Sequence, residues 1–137
     1  MKKYRFPKLL GLAFLTMVIL VIISFIEVAV YSYLINHGQS ASFYDEHANV
    51  SAPWISGIFG FVVFFLVVRY WALKNYEGLL NLALLFVLAY LILDMAILLG
   101  FGVNWADYYL IVLLANGAKI LGALAGYYFY KPKTAVV

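Results

Sequence analysis

Four long apolar runs, at about 9–35, 53–73, 79–100 and 105–130, constrain this chain more than any other feature. Each exceeds the ~20 residues a helix needs to cross about 30 Å of hydrocarbon at 1.5 Å per residue. Backbone amides in lipid must be paired, and the runs lack the alternation of barrel strands, which leaves helices. Composition agrees: 67% of the 137 residues are hydrophobic and 11% are charged. A soluble domain carries about 25% charged residues, so this chain lacks the polar surface to cover a globular core. The expected fold class is an all-α integral membrane protein, a four-transmembrane-helix bundle in a single domain, with residues 36–52 as an outer loop.

Orientation follows from the basic residues. Lys2, Lys3, Arg5 and Lys8 precede the first span, Arg69 and Lys74 end the second, and Lys131 and Lys133 follow the fourth. The segment 36–52 and the turn "FGVNWAD" contain no Lys or Arg. The positive-inside rule then puts both termini in the cytoplasm, with a bacterial inner membrane as the expected location. Trp54, Trp105, Tyr108 and Tyr109 are expected at the outer interface. Tyr70, Trp71, Tyr76, Tyr127, Tyr128 and Tyr130 are expected at the inner one. The start "MKKYRFPK" has the charge of a signal peptide, but the following run is longer than a usual h-region and no A-x-A-like site follows. The net charge of +3 lies at the ends of the apolar runs rather than in a patch, which argues against nucleic-acid binding.

Ionisable residues at membrane depth are costly, and they usually face a bundle interior or a wet cavity. Here they are Glu27, Asp94 and Lys119; Asp107 is expected near the outer interface and Arg69 near the inner one, snorkelling. Helical rise puts Glu27 roughly 28 Å above Lys8, Asp94 roughly 27 Å above Tyr76, and Lys119 roughly 18 Å above the inner flank. The two acids thus share a level that the lysine stem approaches, and one Glu/Asp/Lys site open to the outer side is the expectation. Thr16, Glu27 and Tyr31 fall within about 60° on the first helix, with Ser24 just beyond. Tyr90 lies one turn below Asp94. Asn116 lies one turn outward from Lys119, which borders a stripe of Ala115, Ala118, Gly122 and Gly126. Such small residues permit close helix approach, within the chain or between copies through the Ala118/Gly122/Gly126 face.

The segment 36–52 carries His37, Asp45, Glu46 and His47, further candidate ligands. Their spacing matches no metal signature, and three of them are consecutive, so no metal site is expected. Asn49-Val50-Ser51 is a glycosylation sequon, relevant only in a eukaryotic secretory setting. The chain has no cysteine, which excludes disulfides and thiolate chemistry. It also lacks a P-loop, a dinucleotide fingerprint, G-x-S-x-G and H-E-x-x-H, so no cofactor is expected.

Four short helices with an acid in the first one make a layout similar to that of small multidrug-resistance exporters. The surroundings of Glu27, "SFIEVAVYSY", depart from that family's motif, this chain is longer, and Lys119 is not suggested by it. "NGAK" resembles the Schiff-base lysine context of retinal proteins, which need seven helices and a chromophore pocket. No residue role is carried over from either. The first functional expectation is an ion- or proton-coupled transporter or small-ligand-binding protein, forming a homo-oligomer because four helices enclose little cavity. The others are a non-catalytic assembly subunit, and an enzyme acting on a lipid-like substrate at the outer leaflet with Glu27 or Asp94 assisted by His37 or His47.

Overall fold

The computed structural model describes residues 5–102 and 104–130. Lys2, Lys3, Lys131 and Lys133, which contribute to the charge asymmetry, lie outside the described residues. Four helices follow one another: α1 (Phe6–Val30), continued by a π-helical turn over Tyr31–Ile35, then α2 (Ala41–Leu73), α3 (Leu79–Gly100) and α4 (Trp105–Tyr128). Each is long and apolar enough to cross a membrane, and the described residues contain no strand.

Local chemistry explains most helix ends. Pro7 stands in the first turn of α1, where its missing N–H costs nothing. Ser40 Oγ accepts from the Phe43 amide and starts α2. The α2–α3 turn uses positive φ at Asn75 (54°) and Gly78 (60°). These are residue types that tolerate the left-handed region. Asn104 accepts from the Ala106 amide at 3.2 Å and donates to Asp107 at 2.7 Å. Asp107 is therefore exposed in the first turn of α4, where its charge complements the helix dipole. At the other end of α4, Arg69 donates to the Phe129 carbonyl at 2.7 Å, satisfying an acceptor that the helix leaves free.

The expected outer loop is corrected by the structure. Only the stretch between Ile35 and Ala41 is non-helical, and α2 runs for 33 residues with Pro53 inside it. Proline removes one helical hydrogen bond and crowds the preceding turn. The segment before it stays helical because it is anchored elsewhere: Ser40 caps it, and His47 and Ser51 bond to α1. Tyr44 ties down the short connection, donating to the Asn36 carbonyl at 2.7 Å and accepting from the Gln39 amide at 3.1 Å.

The core lies in the half of the bundle that holds the start of α1 and the α2–α3 turn. Leu9, Ala13, Thr16, Met17 and Leu20 bury one face of α1; Phe64, Val68 and Trp71 come from α2; Leu82, Phe86 and Tyr90 come from α3. Phe64 stacks on Phe86 at 4.6 Å, and Trp71 meets Phe86 edge-on at 5.3 Å. Trp71 therefore belongs to the core and not to an interfacial belt, unlike Trp54 and Tyr109, which are exposed. Beyond Leu20 and Tyr90, α1 and α3 bury little and their apolar faces point outward.

The most extensive pairing joins α2 to α4. A Cβ at Gly122 would collide with the Phe61 carbonyl oxygen, and one at Gly126 would meet the Phe65 carbonyl oxygen at 2.7 Å. The glycine stripe is thus spent inside the chain, with α2 seated on it, and is not free as a seam between copies. Its position yields a prediction. Gly122→Ala should destabilise the protein by about 1–3 kcal/mol, as overpacking does. Gly117→Ala, with open space around its Cβ, should be neutral or slightly stabilising. Thermal unfolding in detergent would separate the two, and equal losses would contradict the packing described.

Candidate functional site

The charged residues expected to share one site fall into two groups. The first lies at the top of α1. Heptad spacing from Leu20 carries Glu27 onto the inward face, where its two carboxylate oxygens accept from His47 Nε2 at 2.7 Å and Ser51 Oγ at 2.8 Å. His47 and Ser51 are one turn apart on α2. Tyr31, one turn beyond Glu27, lies flat on the His47 ring, with centroids 3.6 Å apart and planes 1° apart. Tyr31 begins the π-helical turn, and Asn36 closes it by donating from its backbone to the Tyr31 carbonyl at 2.8 Å and from its side chain to the Tyr31 hydroxyl at 3.2 Å.

The second group is centred on Lys119, which is 1% exposed. Its stem crosses α2 at Gly60, where a Cβ would come within 2.8 Å of Lys119 Cγ. The ammonium donates to Ser56 Oγ at 2.8 Å and to Asn116 Oδ1 at 3.3 Å, and sits 5.0 Å from the centre of the Tyr90 ring. The Asn116 amide nitrogen in turn donates to Asp94 Oδ2 at 3.2 Å. Lysine and aspartate are therefore joined through one amide. Placing a lysine at the centre of a membrane helix costs about 2.5–3.5 kcal/mol on insertion scales. Hydrogen bonds to a charged group contribute about 1.5–3 kcal/mol each. The two neutral acceptors are thus enough to hold the ammonium, and a direct carboxylate is not required.

A cavity of about 410 Å³ adjoins this second group. Ser24, Ser56, Tyr90, Asp94, Asn116 and Lys119 provide its polar surface; the remaining wall is apolar, with Met17 and Leu20 at the core side. Val21 and Phe25 on α1 and Ile97 on α3 also line it, and they are 48%, 70% and 43% exposed, so the cavity opens between α1 and α3. On the α2 side the wall includes Ala48 and Ala52, the sequence neighbours of His47 and Ser51, while Glu27 and His47 themselves are not part of the lining. A second recess of about 390 Å³, between α2 and α4 at Trp54, Ile58 and Leu114, carries no charged side chain.

Of the remaining candidates, His37, Asp45 and Glu46 are exposed. Asp45 and Glu46 lie on the outer side of the helix that turns His47 inward, which separates the three consecutive residues. Among the described residues no cluster of three or more His, Cys, Asp or Glu could hold a metal ion. Sequence reasoning missed Ser51, Ser56 and Gly60. Their signal was present in the small residues Ser51, Ser56, Gly57 and Gly60 near the start of the second apolar run, where polar and small positions face α1 and α4.

The two-group arrangement has a measurable consequence. Glu27 and His47 touch, so a double-mutant cycle of Glu27→Gln and His47→Gln should show a coupling of about 0.5–3 kcal/mol. Glu27 and Lys119 share no hydrogen-bond partner, so Glu27→Gln and Lys119→Met should add within about 0.5 kcal/mol. Unfolding midpoints of the three single and two double variants decide it, and strong coupling of Glu27 to Lys119 would restore the single-site expectation. Compared with protein families, curated proteins and solved structures, the chain matches none at a significant level.

Proposed function

We propose that this is a small integral membrane protein that binds a ligand in the cavity beside Lys119, with both termini in the cytoplasm and the cavity in the outer half of the bundle. The observation that carries this reading is the placement of the Lys119 ammonium and the Asp94 carboxylate at the polar end of an otherwise apolar opening. Ligand sites in membrane and soluble proteins share that design, an apolar recess of about 300–1,000 Å³ with a few convergent polar groups. Intramembrane charges in such positions mark binding sites and pathways. The Glu27–His47 pair, two titratable groups in contact next to the cavity wall, supports proton-coupled transport as the extended form of the same reading.

One observation favours a purely structural role instead. Every buried side-chain N or O atom among the described residues has a hydrogen-bond partner, as expected of a network that fixes helix register. The lipid-directed enzyme reading draws less support, since His37 is exposed and His47 is turned onto Glu27 and away from the cavity.

Lys119→Met separates binding from structure. In the binding reading Lys119→Met still folds, and so does its combination with Asp94→Asn, which removes both charges, because replacing a buried charge pair with neutral or apolar side chains is often neutral or stabilising. Native mass spectrometry of protein released from lipid nanodiscs should then show small-molecule adducts on the wild type that Lys119→Met and Asp94→Asn lose. A drop in stability of about 3–5 kcal/mol with an unchanged adduct pattern would overturn the binding reading and favour the structural one.

A further inference from the structure

We infer that the ligand is a single-chain amphipath with a zwitterionic head, taken from the surrounding leaflet through the gap between α1 and α3. This rests on the binding reading above and deepens it. The head-group assignment comes from how the two charges are held. Lys119 and Asp94 are separated by the Asn116 amide, which bonds to both. Neither charge is used up by the other. An ammonium has three donors, and two are taken here, by Ser56 and Asn116. An ionised carboxylate has about four acceptor positions, and Asn116 takes one at Asp94. Both groups reach the same cavity.

An anionic head placed there is drawn to Lys119 and repelled by Asp94, and a cationic head meets the reverse. A head with an anionic and a cationic group a few bonds apart satisfies both, and leaves the pocket electrically neutral before and after binding. In a water-poor site that neutrality matters, because uncompensated charge is most costly where the dielectric is low. A bare ion or a small hydrophilic solute would make no use of the apolar walls that form most of the cavity.

The tail assignment comes from the mouth. Val21, Phe25 and Ile97 line the cavity and are exposed at the same time. The tight core stops at Leu20 on α1 and Tyr90 on α3. Above that level the two helices present apolar side chains on both sides of an opening, which lets a hydrocarbon chain stay in lipid while its head reaches Lys119. A single chain fits this geometry, since the head-binding end lies between helices that pack closely below it.

The test uses the full chain in lipid nanodiscs and four probes with the same 12-carbon chain. They are a lysophosphatidylethanolamine, dodecyl phosphate, dodecyltrimethylammonium and dodecyl maltoside, each competing against a photoactivatable form of the first. The zwitterionic probe should compete at a concentration at least tenfold lower than the other three. Asp94→Asn should shift the preference toward dodecyl phosphate, and Lys119→Met toward dodecyltrimethylammonium. Ile97→Trp, at the exposed mouth, should weaken all four probes together without changing their order. Equal competition by dodecyl phosphate or dodecyl maltoside in the wild type would overturn the zwitterion assignment while leaving binding intact. So would an unchanged order in Asp94→Asn. If no probe labels or competes and the wild type also carries no adducts, the binding reading itself fails.

Discussion

The structure depends first on how closely α4 approaches α2. In a bilayer, lipid tails are as apolar as leucine, so helices are not driven together by water exclusion and must gain from packing and polar contacts. Glycine at 122 and 126 lets the backbone carbonyls of Phe61 and Phe65 come where a side chain would otherwise stand. The same approach brings Gly60 against Lys119, and the lysine stem fills the space that a β-carbon would have taken. Packing and charge placement are therefore one event: if the helices moved apart, Lys119 would lose both the groove for its stem and the Ser56 hydroxyl for its ammonium.

Burying that charge has consequences for the polar residues nearby. Ser56, Asn116 and the Tyr90 ring surround the ammonium, so Asp94 is left one amide away. A direct lysine–aspartate pair would be a closed structural unit. The interposed amide keeps the two charges apart while holding each in place. At the other group, the Glu27 carboxylate oxygens accept one bond each, from His47 and from Ser51, and Tyr31 stacks on the His47 ring. That contact also fixes the first turns of α2 to α1, across a helix weakened at Pro53.

Much of this was legible before any coordinates. Tyr31 and Glu27 fall on one stripe, as do Tyr90 and Asp94, and Asn116 and Lys119, because 3.6-residue periodicity acts within a single helix. What was misread depended on contacts between helices. The segment "NHGQSASFYDEHANVSAP" has the polarity of a loop, and Pro53 suggests a helix start. It is helical because its partners lie on α1, outside any local window. Trp71 carries the composition of an interfacial residue, yet the Phe86 edge it meets draws it into the core. The common level expected for Glu27 and Asp94 from helical rise says nothing about rotation toward a neighbour.

The sequence by itself determined four apolar helices, the approximate limits of all of them except the start of α2, and the identity of the charges that must be accommodated among them, since hydrophobic length and period are properties of each run alone. The tertiary structure decided which polar residues meet. It assigned Glu27 to His47 and Lys119 to Ser56 and Asn116, closed the glycine stripe inside the chain, and left a cavity open between α1 and α3. Those outcomes follow from helix rotation and separation, which are set by side chains on two or three elements at once and are written in no single stretch.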